Sequence, residues 1–383
     1  MKVMITNFLE FKTPQTQSIK YAGSKLKLLP YILSMSKNVC GDANTTVFDG
    51  FSGSTRVSQA FAKSGFTVYA NDTAPYSKIF NTAFLLNKKP AKSYQPLIDH
   101  LNALEPVDGW FTENYGGDGF KNGSNNEDGL KKPWQKKNTR KLDAIRQEID
   151  KLNLDEVTKA VALTSLMFAL DKVDSTLGHF ASYLNKWSAR SHNEMKLKVP
   201  DLLINQNNHV VMNNDIFEAI QLLPKDISIA YFDPPYGSNN EKMPPSRVRY
   251  ASYYHIWTTI CLNDKPQLFG KAKRRTDTSD IIAGSVFEDF RKGESGKFIV
   301  IEAIEKLIKE THAKDIILSY SSGGRATANE LTDVLNSYGQ IIEVNKIDYK
   351  KNVMAKMKWT NDWIKDTNEK NYEYLFLLKK RYS

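Results

Sequence analysis

Apolar residues in this chain gather into short runs, most of them closed by a turn and followed by a stretch with helical spacing. Thr46-Val47-Phe48 runs into a glycine-containing turn, Arg56–Lys63 then reads as a helix, and Phe66-Thr67-Val68-Tyr69-Ala70 follows at once. Further along come His209–Met212, Ile227–Phe232, Ile316–Ser321, Gln340–Glu343 and Tyr372–Leu378. Runs of this kind, rich in branched and aromatic residues, fit strands buried on both faces of a sheet. Helical periods over Ile299–Glu310 and Ala326–Ser337 flank the later ones. Seven strands alternating with helices predict an α/β fold.

That rhythm breaks twice. From about Asn87 to Ile204 it gives way to a glycine- and asparagine-rich stretch, Gly116-Gly117-Asp118-Gly119 and Asn122–Asn126, read as a loop, and then to helical patterns. Leu142, Ile145 and Ile149 recur at helical spacing, and Val157–Leu170 is apolar enough for a buried helix. The second break, Ser238 to about Lys297, interleaves basic and aromatic residues. The expected division is core over 1–86, a mainly helical insertion over 87–204, core over 205–237, an extension over 238–297, and core over 298–383.

Ile227–Phe232 ends in Asp233-Pro234-Pro235-Tyr236. Proline cannot continue a ladder, so the chain turns there. A carboxylate, a fixed backbone carbonyl and an aromatic ring then face the crevice beyond the strand ends, where α/β proteins bind ligands. Those groups suit one chemical problem. The exocyclic amine of adenine is a poor nucleophile, because its lone pair is delocalised into the ring. If the Asp233 carboxylate and the Pro234 carbonyl each accept one N–H, the nitrogen moves toward a tetrahedral shape with its lone pair aimed outward. Tyr236 would stack on the base and hold it out of the helix. No metal and no covalent intermediate is required. A plain strand-ending turn could use the same residues, but the tetrapeptide arises by chance in only about one such chain per several hundred.

Upstream, Asp49-Gly50-Phe51-Ser52-Gly53-Ser54-Thr55 joins a strand to a helix. Glycines there let the backbone bend tightly and approach a ligand, and the helix start offers free N–H groups. The turn lacks the Gly-Lys-Ser/Thr of a phosphate-binding loop. The next strand ends in Asn71-Asp72, where Asp72 can accept from both hydroxyls of a ribose or cap the following helix.

Taken in order, these features resemble the S-adenosylmethionine-dependent DNA adenine-N6 methyltransferases of the alpha, Dam-like group. Lys20-Tyr21-Ala22-Gly23-Ser24-Lys25 looks like the family's opening cofactor motif, and Asn213-Asn214-Asp215-Ile216-Phe217 matches the position whose carboxylate meets the adenine of the cofactor. The resemblance implies a Rossmann-like sheet of seven mostly parallel strands, with the first and fourth side by side so that Asp49 and Asp233 face one cleft. It implies S-adenosylmethionine held by Tyr21, Gly23, Lys25, Asp49, Phe51, Gly53, Asp72, Asp215 and Ile216, and catalysis by Asp233, Pro234 and Tyr236. Ser52 and Ser54-Thr55 depart from the small or glycine residues common in the first turn, and Gly237 stands where asparagine is frequent.

The formal charge of +10 suits a polyanionic partner. Basic residues cluster outside the cofactor core, at Lys131–Lys141 and Lys271–Arg275. In the family the insertion carries target recognition, so Lys131–Arg146 and Lys172–Arg190 are candidate contacts to double-stranded DNA, with Lys136, Lys137, Arg140, Lys273 and Arg274 foremost. Arg247 and Arg249, near the tetrapeptide, are read as DNA contacts, whereas Ile256 and Trp257 are read as core. Asp171–His179 resembles a segment in one branch of these enzymes.

The 383 residues, 41% of them hydrophobic, are enough for a substantial core. Cys40 and Cys261, far apart and neither following a proline, fit a reducing cytoplasm and argue against a cytosine-5 nucleophile. No apolar run spans a membrane. A cytoplasmic enzyme is expected, working beside a cognate restriction endonuclease or alone. Adenine in RNA, and a catalytically silent DNA-binding regulator, remain the alternatives.

Overall fold

The structure, a computed structural model, describes residues 13–39, 45–118, 129–237, 249–279, 282–348 and 372–381. Its centre is a seven-stranded sheet: β1 (Thr46–Asp49), β2 (Thr67–Asn71), β3 (Val210–Met212), β4 (Ile229–Phe232), β5 (Asp315–Ser321), β6 (Gly339–Asp348) and β7 (Tyr372–Lys380). They lie in the order β6-β7-β5-β4-β1-β2-β3, all parallel except β7, which runs antiparallel to both neighbours. The first and fourth strands are adjacent, in register Val47 with Ile229 and Asp49 with Tyr231. Asp49 and Asp233 therefore leave the same edge side by side, at the switch point where such sheets form a cleft.

Alternation along the strands explains the layers. Val47, Val68, Ile229, Tyr231 and Ile317 pack against helices α1 (Leu29–Val39) and α2 (Arg56–Lys63). Phe48, Ala230, Phe232, Ile316 and Leu318 meet a helical layer on the other face. All four residues of β4 are buried, as a strand covered on both sides requires.

A second core lies beside this sheet. It joins α3 (Pro75–Leu85) to α4 (Gln95–Ala103), α5 (Trp110–Tyr115), α6 (Lys136–Lys151) and α7 (Glu156–Lys172), all of which contribute apolar side chains. The second extension enters the same core: α8 (Ile216–Gln221) belongs to the sheet layer, but α9 (Tyr250–Tyr253) and α10 (His255–Leu262) set Tyr254, Ile256, Trp257 and Ile260 among Trp134, Phe180 and Leu166. Ile256 and Trp257 are thus core, as read from the sequence. The sheet's other face is completed by α11 (Ile299–Glu310) and α12 (Ala328–Tyr338), the latter opened by a reciprocal cap between Thr327 and Glu330.

Three local expectations change. Gly116-Gly117, read as loop, pairs with Trp134–Gln135 in a short ribbon, because the buried Trp134 ring anchors that edge. The helix expected over Arg140–Ile149 starts at Lys136, so Lys136, Lys137 and Arg140 sit on its opening turns. Within Lys131–Arg146 several cations face inward. Arg146 is buried and donates to the carbonyls of Ile260 and Cys261, which end α10. Lys141 donates to the Asn102 carbonyl and Lys132 to that of Asn114. Arg146 ties the insertion to the extension, Lys141 and Lys132 brace the insertion internally, and all three spend their cations on backbone carbonyls instead of facing a DNA partner.

Candidate active site

The cleft, about 600 Å³ in volume, is lined by Tyr21, Gly23, Lys25, Asp49–Ser54, Asp72, Asp215, Ile216, Asp233 and Pro235, and by Phe287 and Glu288 from the extension. Every residue assigned to cofactor binding from the sequence lines it, so the strand-end geometry gathers positions nearly two hundred residues apart.

The glycine turn is held from below. Thr55 adopts a left-handed conformation just before α2. Ser52, a departure from the family pattern, fastens the turn to the end of β2: its backbone N–H and hydroxyl both reach the Asn71 carbonyl, and the Asn81 amide donates to the hydroxyl. Gly53 has φ +47°, and an added Cβ would stand 3.1 Å from the Tyr21 hydroxyl, so a side chain here would be both strained and crowded. Tyr21 itself lies in an aromatic stack, 4.5 Å from the Tyr254 ring centroid and 5.4 Å from that of Tyr250.

Asp72 does not cap α3, whose N-cap is Ala74, but braces the turn that precedes it. One oxygen accepts the Gly53 N–H at 2.7 Å and the other the Ala74 N–H at 2.8 Å, linking the glycine turn to the start of α3. A carboxylate has about four acceptor sites, so both oxygens can still receive a ligand's hydroxyls. Asp215, also on the cleft wall, caps α8 by accepting the Phe217 N–H at 2.9 Å.

Asp49 is fully buried. Its Oδ2 accepts from Ser58 at 2.6 Å, while Oδ1 finds no partner among the described residues. Burial first, then the charges of Asp233 and Asp72, push its carboxyl up to about 7, against the bond from Ser58. The cleft of a basic protein is thus lined with acids. A cationic ligand rich in donors would relieve both the orphaned oxygen and the mutual repulsion, and S-adenosylmethionine fits that description, since its ammonium, ribose diol and adenine amine donate and its sulfonium adds positive charge.

Lys25, expected at the cofactor, engages the tetrapeptide. Its buried ammonium lies 3.0 Å from Asp233 Oδ1 and donates to the Tyr236 hydroxyl at 2.8 Å. Tyr236 in turn donates to Asp233 Oδ1 at 2.5 Å, and its ring tilts against Tyr320 at 4.8 Å. In this state the tyrosine is turned toward its own loop, and its hydroxyl is already engaged. Gly237, the other departure, is enforced by packing, since a Cβ there would come 2.9 Å from Cβ of Arg325.

The basic residues named from the sequence lie on two faces. Lys136 and Lys137 are exposed and Arg140 is partly so. Lys136 reaches Asp118 at 3.1 Å, Arg140 reaches Asp108 at 3.0 Å, and Lys137 donates to the His192 carbonyl. The run Lys271–Arg275 forms a hairpin in which Arg274 lies over the Phe269 ring. Its neighbour Arg275 is buried against Asp264 and Asp277. The hairpin docks on the insertion through bonds from Tyr115 to the Lys273 carbonyl and from Tyr183 to that of Ala272. Arg249 pairs with Glu288 at 3.5 Å; Arg247 lies outside the described residues. In the segment 171–190, Asp174 is buried between Lys20 and Arg190, each 2.7 Å away.

Sequence reasoning missed Phe287, which closes on Phe51 and Phe217, and Glu373, which approaches Tyr236. Neither sits in a motif: Phe287 comes from a single 3-10 turn, and Glu373 is a lone acid in step with the buried Leu375 and Leu377 on the closing strand. Among the described residues no helix is long and apolar enough to cross a membrane.

A profile for D12 class N6 adenine-specific DNA methyltransferases matches residues 21–321. The chain is 26% identical over 382 residues to the modification methylase StsI of Streptococcus sanguinis, covering 95% of this chain and 52% of that protein. It is 25% identical over 370 residues to the type II methyltransferase M.NlaIII of Neisseria lactamica, covering 95% and 100%. Against the type II methyltransferase M.FokI of Planomicrobium okeanokoites it is 27% identical over 384 residues, covering 94% and 53%. It therefore spans about half the length of StsI and M.FokI and the whole of M.NlaIII. The matched profile opens at Tyr21 beside the glycine turn and closes at the end of β5, so it takes in both carboxylate-bearing strand ends of the cleft. By that match the chain belongs to the D12 class of N6 adenine-specific DNA methyltransferases.

Proposed function

We propose that this chain is a site-specific methyltransferase, moving a methyl group from S-adenosylmethionine to the N6 amine of an adenine extracted from double-stranded DNA. On this reading it is the modification arm of a cytoplasmic restriction-modification system, with a cognate endonuclease acting separately. The observation that carries the reading is the meeting of Asp49 and Asp233 at adjacent strand ends of one acidic cleft, inside the span of the family match.

The orphaned oxygen of Asp49 would take the cofactor's ammonium, Asp72 the ribose hydroxyls, and Asp215 with Ile216 and Phe51 the adenine. Tyr21 and Gly23 close the cleft from the amino-terminal side. When bound, S-adenosylmethionine supplies a methyl group on a cationic sulfur that leaves readily. Asp233 and the Pro234 carbonyl accept the two hydrogens of the target amine and aim its lone pair at that methyl. Holding the two substrates in line supplies much of the acceleration, and the ring of Tyr236 steadies the extracted base.

The insertion and the hairpin would grip the phosphates. Lys136 and Lys137 open α6 with no acid in its first turn, the reverse of what the helix dipole favours. Their place is better explained by an anionic partner than by helix stability.

Plasmid DNA from cells expressing the chain, sequenced with modified-base detection beside DNA from cells carrying Asp233→Ala, tests the reading. Methyl-adenine at one short motif with the wild type alone is the expected result, and the purified variant should still bind S-adenosylmethionine. No mark in either DNA, from a protein that binds the cofactor, would overturn it and direct attention to RNA.

A further inference from the structure

Tyr236 has one phenolic hydrogen and two carboxylates within reach. Its hydroxyl lies 2.5 Å from Asp233 Oδ1 and 3.3 Å from Oε2 of Glu373 on β7, while Lys25 donates to the same hydroxyl at 2.8 Å. Glu373 is 6% exposed and pairs with Ser321 of the neighbouring β5. Lys25, Asp233, Tyr236 and Tyr231 are the charged or titratable groups that act on it or feel its charge. From the edge strand, Lys346 lies over the rings of Tyr372 and Tyr374, the neighbours whose side chains take the opposite face of β7. A buried carboxylate on β7, two strands from β4 and its catalytic loop, that meets the loop through the Tyr236 hydroxyl and does not line the cleft has no part in gripping substrate.

Methylation leaves the target nitrogen with one proton too many. From the geometry we infer that Glu373 is a positioning residue that takes up this proton through Tyr236, returning Asp233 to its acceptor state. The inference rests on the methyl-transfer reading above. In the step, the amine nitrogen keeps its new methyl and passes one N–H proton to the Asp233 carboxylate. Asp233 passes a proton to the Tyr236 oxygen as Tyr236 gives its own hydrogen to Glu373. One proton moves, no electrons are exchanged, and Asp233 ends ionised. The face of Asp233 toward the cleft is filled by the base, so the exit lies on the side where Tyr236 and Glu373 stand. Burial, followed by the charge of Asp233, makes Glu373 hold a proton more readily than an ordinary glutamate, with Lys25 opposing.

Single-turnover methyl transfer to duplex DNA, measured from pH 5.5 to 8.5, decides the point for the wild type, Glu373→Gln, Tyr236→Phe and the double variant. Cofactor affinity and thermal unfolding are followed alongside. Glu373→Gln should slow transfer by about tenfold to a hundredfold, lose one ionisation from the pH–rate profile, and bind S-adenosylmethionine as before. The double variant should be no slower than Tyr236→Phe alone, because Glu373 acts only through that hydroxyl. A Glu373→Gln profile that overlies the wild type, or two effects that multiply, overturns the inference. If Glu373→Gln unfolds, Tyr236→Phe alone decides, and an unchanged profile overturns it. A wild-type protein that methylates no DNA refutes the underlying reading, an outcome visible before any variant is compared.

Discussion

Asp49 couples cofactor binding to pH in a way that can be worked out from its surroundings. Folding carries its carboxyl from an ordinary 3.8 to about 7, chiefly through burial. At about 1.36 kcal/mol for each pH unit, this disfavours the ionised form by on the order of 4 kcal/mol. The folded protein then holds more protons than the unfolded chain between those two values, so stability falls as pH rises through that window. The contribution is fully present below about pH 4 and gone above about pH 7. A bound ammonium reverses the balance by favouring the carboxylate, so S-adenosylmethionine should bind about tenfold more weakly for each pH unit below 7. Asp49→Asn removes the titrating group. Cofactor-free Asp49→Asn should be more stable than the wild type at pH 8, and its cofactor affinity should be weaker at pH 7.5 and nearly flat with pH. Urea unfolding and calorimetric titration from pH 5.5 to 7.5 measure both effects, within a range where the cofactor's own amino group stays charged. If the wild type binds equally well at pH 6 and pH 7.5, the assigned ion pair is wrong, and if the variant keeps the wild-type slope of stability with pH, the assigned burial is wrong.

Other outcomes follow from the same geometry. Asp72→Ala strips partners from the Gly53 and Ala74 N–H groups and two acceptors from the ribose, so calorimetry should show cofactor affinity reduced by about tenfold to a hundredfold; unchanged affinity would sink the ribose assignment. Trp257→Ala opens the core shared by the insertion and the extension, and should cost about 3–5 kcal/mol in urea unfolding. Arg274→Ala should weaken DNA binding without altering which sequence is chosen, and should lower the slope of log affinity against log salt by about one; an altered recognition site would mean that Arg274 reads a base.

The sheet was legible because each strand carries its own signal. Ile229–Phe232 is apolar throughout and stops at two prolines, and the Asp49–Thr55 turn stands between a strand and a helix of ordinary length. Lys25 was harder to read, since a motif reports which residues recur together and not which way a long side chain reaches. Its ammonium meets Asp233 only because the turn before α1 passes the end of β4. Arg146 and Lys141 misled for a similar reason: in sequence they extend a basic cluster, but helical spacing turns them toward the carbonyls of Ile260 and Asn102. Glu373 gave no signal at all, being one acid in a strand whose alternation places it within reach of a residue 137 positions away.

Phe80 and Phe84 of α3 lie in the same apolar core as Trp134, Leu142, Phe180 and Trp257, and α3 begins three residues after Asp72, which lines the cleft. If the insertion reads DNA sequence as proposed, that preference is not a detachable cassette. A chimaera that exchanged only residues 87–204 for those of a relative would leave one wall of the cofactor cleft facing a mismatched surface, and would lose cofactor affinity before its new specificity could be measured. A transplant must carry α3, the insertion and α10 as one piece, with its joints at the sheet.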